Sequence, residues 1–306
     1  MRAETTEMVV DRSPLAVGRA LLSSLRPKQW TKNLLVFAAL IFDLQLDDPG
    51  RVFVALAAFA CFCVASGAVY LVNDLLDRES DRLHPTKRHR PIASGRLPER
   101  VAVVAAVASF LGAPLAALLL RPGFGLIIAC YIALMLGYSI WIKHLVILDV
   151  FAISAGFVLR AAGGAVVLAI PISPWLYVCT VLLSLFLGFA KRRNEIRVLE
   201  SVAALHRRNL DEYSVGLLDQ LILLTAAATI MSYSLYTFTA AALPENHAMM
   251  LTIPFVLYGI FRYLLLVYVR EEGGAPEQLL LSDRPLLISV GLWAAAVVAV
   301  LYGPLS

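Results

Sequence analysis

The chain has 306 residues, 60% of them hydrophobic and only 16% charged, a balance too apolar for a soluble protein that must cover its own surface with polar groups. Its net charge of +4 is a weak argument for a nucleic-acid partner, because the placement of the charges accounts for it better as membrane topology. Cys61, Cys63, Cys130 and Cys179 all lie in apolar runs without zinc-like spacing to histidines, and read as packing residues.

The apolar residues come in runs of roughly 18 to 24, the length with which a helix crosses about 30 Å of hydrocarbon. This predicts an all-α polytopic membrane helical bundle of about nine transmembrane helices in one transmembrane domain, 1–306, and not a barrel. The opening MRAETTEMVV carries two glutamates and leads to no cleavable apolar core, so it is expected to stay on the chain. Segment 14–25 can lie along the membrane as an amphipathic helix before Trp30 anchors the interface. Lys28 and Lys32 flank Trp30 where a lipid phosphate sits, and plain interface anchoring is an equal reading.

The expected spans are 31–43, 52–73, 101–120, 123–142, 145–168, 174–190, 216–241, 248–269 and 285–303. With the N-terminus in the cytoplasm, segments 1–32, 74–100, 143–144, 191–215 and 270–284 face inward and hold 22 of the 26 Lys and Arg. The opposite loops hold only Arg51 and Arg121, and Arg160 and Arg262 fall within spans. The positive-inside rule then fixes the orientation, with both the N-terminus and the active site on the cytoplasmic side of a plasma (inner) membrane. The outer connections are short turns: Asp47-Asp48-Pro49-Gly50, Arg121-Pro122-Gly123, Pro171-Ile172-Ser173-Pro174 and Pro244-Glu245-Asn246-His247. Three inner ones, the cap loops 74–100, 191–215 and 270–284, are longer and more polar than joining helices requires, which marks them as the place for function.

After the second span comes Tyr70-Leu-Val-Asn73-Asp74-Leu-Leu-Asp77-Arg-Glu-Ser-Asp81, with Pro85 expected to end the helix. In one continuous helix Asn73, Asp77 and Asp81 recur at i, i+4 and i+8, and Asp74 precedes Asp77 by three, so all four share a face. Three carboxylates facing one way repel unless a cation joins them, and hard oxygen ligands of this kind suit magnesium with a substrate phosphate. Lys87, Arg88, Arg90 and Arg96 follow at once. Acid then dense base is what a magnesium-bound diphosphate requires; a solvated basic loop serving topology alone needs no spaced acids. Span six ends in Lys191-Arg192-Arg193-Asn194-Glu195, read either as a salt-bridged helix end or as a second phosphate and metal site facing the first. Arg160, deep in span five, needs a partner; a phosphate or one of the aspartates is the candidate, and Gly163 and Gly164 permit close helix packing. Asp149 reads as a local ion pair with Lys143 and His144, and Asp283 with Arg284 as closing the inner mouth. His206 and His247 show no ligand spacing.

Asn73-Asp74-x-x-Asp77-x-x-x-Asp81 with the nine-span plan resembles the UbiA superfamily of intramembrane prenyltransferases. Within it, Leu25 to Asn33, His84 to Gly95, Leu159 to Gly164 and Lys191-Arg192 are similar to the decaprenyl-phosphate phosphoribosyltransferase branch. One departure fits that branch: where aromatic prenyltransferases carry a second D-x-x-x-D, this chain offers only Glu195 among Lys191, Arg192, Arg193 and Arg197. The resemblance implies a fold around a lipid-accessible cavity and transfer of 5-phosphoribosyl from phosphoribosyl diphosphate to a polyprenyl phosphate for cell-envelope arabinan precursors. It implies Mg2+ held by Asn73, Asp74, Asp77 and Asp81, catalytic roles for Asp74, Asp77, Asp81 and Lys87, and substrate contacts from Tyr70, Asn73, Arg88 and Arg90. Lys28, Lys32, Arg160, Lys191, Arg192 and Glu195 complete the substrate-binding set, unapportioned between the 5-phosphate and the lipid phosphate. No general base is required, since the attacking phosphate is already ionised. Two rivals stay open: a prenyltransferase using a prenyl diphosphate with an aromatic or haem acceptor, and a transporter, against which stands the lack of paired broken spans in corresponding halves. Lipid length, the number of magnesium ions and a homo-oligomer are also open.

Overall fold

A computed structural model describes residues 13–84, 86–201, 213–240, 243–274 and 276–303. Helix α1 (Pro14–Ser24) is capped by Ser13, whose hydroxyl accepts the Ala16 N–H at 3.3 Å, and it buries Ala20 and Ser24 while Leu15 and Leu22 stay exposed. The expected first span follows a different course: Pro27–Phe37 winds as a 3₁₀ helix of 11 residues and passes into α2 (Ala38–Phe42), of 5 residues. At about 2.0 Å per 3₁₀ residue and about 1.5 Å per α residue, the pair reaches about 30 Å. Only its second half is apolar, since Lys28, Gln29, Thr31, Lys32 and Asn33 lie in its first turns, so the apolar part covers about half of that length. The hydrophobic pattern did not show the 3₁₀ winding, because it reports the length of a run and not its pitch.

Asp48 caps α3 (Pro49–Leu76), accepting from the N–H groups of Gly50 and Arg51, with Pro49 opening the helix. The polar stretch beyond forms α4 (Arg78–Leu83). Next come α5 (Glu99–Leu120), α6 (Pro122–Ile140), α7 (Leu148–Leu168), α8 (Pro174–Ser201) and α9 (Val215–Thr239). A 3₁₀ turn, Ala248–Thr252, leads into α10 (Ile253–Tyr268), and α11 (Pro276–Ser282) and α12 (Arg284–Tyr302) close the chain. Among the described residues eight helices are long and apolar enough to cross a membrane, which makes this an integral membrane protein. The cap regions are less irregular than expected. α4 and a turn at Lys87–His89 occupy the first, α8 runs on through the opening of the second as far as Ser201, and α11 occupies the third. Pro85 and residues 202–212, with His206, lie outside the described residues.

α3 and α7 are the central helices: each has 56% of its span buried, against 17 to 33% for the others. One core joins the 3₁₀ helix, α2, α3, α5, α6 and α7 through Val36, Leu40, Phe62, Ala117, Phe124 and Ala165; a second joins α7 to the later helices through Val150, Phe186, Leu218 and Leu266. Gly164 shows why small residues are needed on α7. A Cβ there would stand 2.0 Å from the Val36 carbonyl oxygen, so only glycine lets the 3₁₀ backbone lie directly on that helix.

Candidate active site

The expected continuous helix is interrupted at one residue. Asp77 leaves helical geometry (φ −90°, ψ 3°) between α3 and α4. The path is otherwise kept, since the Asp77 N–H still reaches Asn73 O at 3.0 Å and the Asp81 N–H reaches Asp77 O at 2.8 Å. The Ser80 hydroxyl also donates to Asp77 O, the local competition by which short polar side chains loosen a helix. The break divides the four polar residues into two pairs. Asp74 and Asp81, each 2% exposed, turn to Arg90, whose Nη1 bridges them at 3.0 and 2.7 Å. Arg26 adds a second cation to Asp74 at 2.5 Å while its guanidinium lies over the Tyr70 ring. Asp77 keeps 34% of its side chain exposed, accepts from the Asn73 amide at 3.2 Å and has Lys143 at 3.9 Å.

The basic stretch is held by an apolar anchor that its composition hides. Ile92 and Leu97, each 1% exposed, pack with Ala20, Leu71 and Ala102, and Arg82 donates to Ala93 O. Arg90 is thereby presented to the aspartates, whereas Lys87 and Arg88 remain exposed. On the outer side of α4, hydrogen bonds from Arg78 and the charge of Arg82 hold the Glu79 carboxyl below its usual range.

The second polar segment is assembled from four places in the chain. Arg192, 2% exposed, meets Asp149 Oδ2 through Nε at 2.7 Å, Glu195 through Nη1, and the Tyr138 hydroxyl through Nη2 at 3.1 Å. Asp149 is fully buried, and its Oδ1 accepts from Tyr213 at 2.9 Å and from its neighbour Val150 N at 2.8 Å. Tyr213 in turn accepts the Ile147 N–H at 2.6 Å, which steadies a β-branched residue at φ 69°. Burial, then the Asp149 charge, push the Tyr213 phenol above the ordinary tyrosine range, so it remains a donor. Both halves lie at one end of the bundle, because one short stretch supplies Tyr138 to Arg192 and Lys143 to Asp77.

The sequence model of the UbiA prenyltransferase family matches residues 34–282. The chain belongs to the UbiA prenyltransferase family. Among its relatives, a decaprenyl-phosphate phosphoribosyltransferase of Corynebacterium glutamicum is 37% identical, with 94% of this chain and 89% of that protein aligned. One of the same name from Mycobacterium tuberculosis is 35% identical over 97% of this chain and all of its own length. Among solved structures, a UbiA homologue from Archaeoglobus fulgidus bound to GPP and Mg2+ shares the fold, with TM-score 0.69 at 18% identity over 92% of this chain and 99% of that one.

Within this UbiA fold the remaining expected site residues take different places. Arg160 meets neither phosphate nor aspartate: it donates to Asn33 Oδ1 and the Tyr131 hydroxyl, each at 2.7 Å, and to Gly156 O at 2.8 Å. It lies eleven residues beyond Asp149 on α7, about 16 Å deeper into the bundle. Asn33 spends its amide on Cys63 and Ser66, so the node fastens the 3₁₀ helix to both central helices. Lys28 is exposed, and Lys32 and Lys191 are half-buried. Asp149 pairs with Arg192, while Arg193, beside the site, pairs with Asp219 and lies over the ring of Tyr268. Asp283 binds Arg262 through both carboxylate oxygens at 3.1 and 2.8 Å, which holds its carboxyl below the usual range, and Arg284 opens α12.

Arg26, Tyr138, Lys143, Asp149 and Tyr213 were not among the expected site residues. Asp149 did carry a signal: an acid in the first turn of an apolar span must find a cation. The first segment supplies three carboxylates and a carboxamide, the donor types magnesium takes, but among the described residues no three acids converge as a metal-holding cluster. Arg26 and Arg90 neutralise two of the carboxylates, which leaves Asp77, with Asn73, as the acid most open to an entering cation.

Proposed function

We propose that the chain is a membrane glycosyltransferase that moves 5-phosphoribosyl from phosphoribosyl diphosphate to a polyprenyl (decaprenyl) phosphate, releasing diphosphate, toward cell-envelope arabinan precursors. The observation that carries this reading is the whole-length likeness to decaprenyl-phosphate phosphoribosyltransferases at 35 and 37% identity. The charge balance supports it, since Lys28, Lys32, Lys87, Arg88, Lys143 and Lys191 fall on the segments that carry the two polar sites, where Asp77 and Glu195 are partly exposed acids. In this reading the N-terminus and the mouth are cytoplasmic at the plasma membrane, as the inward Lys and Arg excess requires.

In the reaction the bond from the ribose anomeric carbon to the diphosphate oxygen breaks, and a bond from that carbon to a lipid phosphate oxygen forms. A single displacement inverts the carbon. Lys87 and Arg88 meet the charge that accumulates on the departing diphosphate, and Arg90 holds Asp74 and Asp81 in place behind it. Lys28 and Lys32, beside Trp30, stand at the level of the acceptor phosphate. Magnesium, held by Asn73 and Asp77 with Asp74 and Asp81, would neutralise the diphosphate as it leaves. Arg160 and Arg192 act through the protein groups they bind.

The fold also suits a prenyl diphosphate donor, the rival suggested by the GPP-bound A. fulgidus homologue. A radiolabel assay with membranes separates the two. Label passing from phosphoribosyl diphosphate to a polyprenyl phosphate is the expected result; label passing only from a prenyl diphosphate overturns it.

A further inference from the structure

We infer that Asp149 and Tyr213 are positioning residues for the donor, acting through Arg192, which is a buried keystone and not itself a phosphate ligand. This rests on the reading of the mouth as a phosphoribosyl diphosphate site. Arg192 is 2% exposed, and Asp149, behind it, is wholly buried. Removing both charges from water is unfavourable enough that well-packed apolar residues would hold these helices together at least as well. What the guanidinium provides instead is direction. Through one planar group it fixes two outward-looking side chains, Glu195, 25% exposed, and half-buried Tyr138, from α8 and α6 respectively.

The keystone is itself held from behind. Asp149 Oδ2 receives Nε of Arg192, and Oδ1 is kept in line by the Tyr213 hydroxyl and by Val150 N. Tyr213 also takes the N–H of Ile147, in the strained turn that starts α7. The order from the interior outward is therefore Tyr213, Asp149, Arg192, then Glu195 and Tyr138. Nothing in that chain before Glu195 and Tyr138 reaches the mouth.

The test is the double variant Asp149→Asn with Arg192→Gln, which leaves no uncompensated buried charge and so is expected to fold. Expected are an unchanged elution profile in detergent, a KM for phosphoribosyl diphosphate raised by about tenfold or more, and a KM for the polyprenyl phosphate left nearly unchanged. Tyr213→Phe, a milder change, should move the donor KM in the same direction by about threefold. Stabilisation of the detergent-solubilised protein by inorganic diphosphate, read as a shift in unfolding temperature, should be lost in the double variant. A folded double variant with wild-type donor KM and wild-type diphosphate stabilisation overturns the inference, as does an equal rise in both KM values. Should the double variant fail to fold, Tyr213→Phe with unchanged donor KM overturns it. If the wild type transfers no phosphoribosyl at all, the functional reading fails, and diphosphate stabilisation alone then decides the keystone role.

Discussion

In the first polar segment Arg90, a quarter exposed, bridges Asp74 and Asp81 while Asp77 keeps 34% of its side chain open; in the second, Arg192 and Asp149 are sealed at 2% and 0%. A cation that is itself partly wet is rehydrated when it leaves, so it can be exchanged for another charge, provided that one arrives to serve the two buried carboxylates. A sealed pair has no such substitute and keeps its geometry. The first half is thus suited to trade an arginine for an incoming charge, and the second to hold a shape against which the donor is aligned. One mouth combines a grip that can change partners with a frame that cannot.

The sharpest way to break this contrast is at Asp77. Asp77→Asn keeps the Asn73 contact within reach but removes the open negative charge, and turnover is expected to fall by about a hundredfold or more with membrane insertion intact. Unimpaired turnover would remove the metal role from the first segment. A middle-sized effect is expected at Arg90. Arg90→Ala leaves buried Asp74 with Arg26 alone and takes from buried Asp81 the arginine it meets, which should cost about 2–3 kcal/mol of stability and lower the unfolding temperature. Arg90→Lys should recover part of that stability but little activity, since an ammonium does not span both carboxylates as the guanidinium fork does. The smallest effect concerns Asp283. Its carboxyl titrates below the usual range because Arg262 donates to it. A depressed folded value means that the clamp contributes fully above about pH 4, the ordinary carboxylate range, and is lost as pH falls through the lower folded value. Unfolding temperature measured from pH 6 downward should therefore fall less steeply in Asp283→Asn than in the wild type.

The contrast also decides what a reader of the sequence can see. Asn73, Asp74, Asp77, Asp81 and Arg90 lie within one short stretch, so their spacing announces a common site. The partners of Arg192 do not: Tyr138, Asp149 and Tyr213 meet it only because α6, α7, α8 and the entry to α9 pack at one end. Reading Asp149 with its neighbours Lys143 and His144 followed proximity along the chain, whereas burial selected a cation on another helix. Arg26 escaped notice for a similar reason. A left-handed turn (φ 53°) aims it at Asp74, and nothing in Leu25-Arg26-Pro27 specifies that turn. Eight of the nine expected spans are helices long and apolar enough to cross a membrane; the first, 31–43, is a 3₁₀ winding that passes into a short helix, a pitch that hydropathy does not reveal.

That pitch has a consequence for tolerance to change. Arg26 caps the start of the 3₁₀ winding and Asn33 stands seven residues on within it, one answering to Asp74 at the mouth and the other to Arg160 inside the bundle. At about 2.0 Å and a third of a turn per residue, the interval is a ruler about 14 Å long. Adding or deleting one residue would swing one end by about 120° relative to the other. Substitutions can be absorbed between these two marks; a change in their separation cannot.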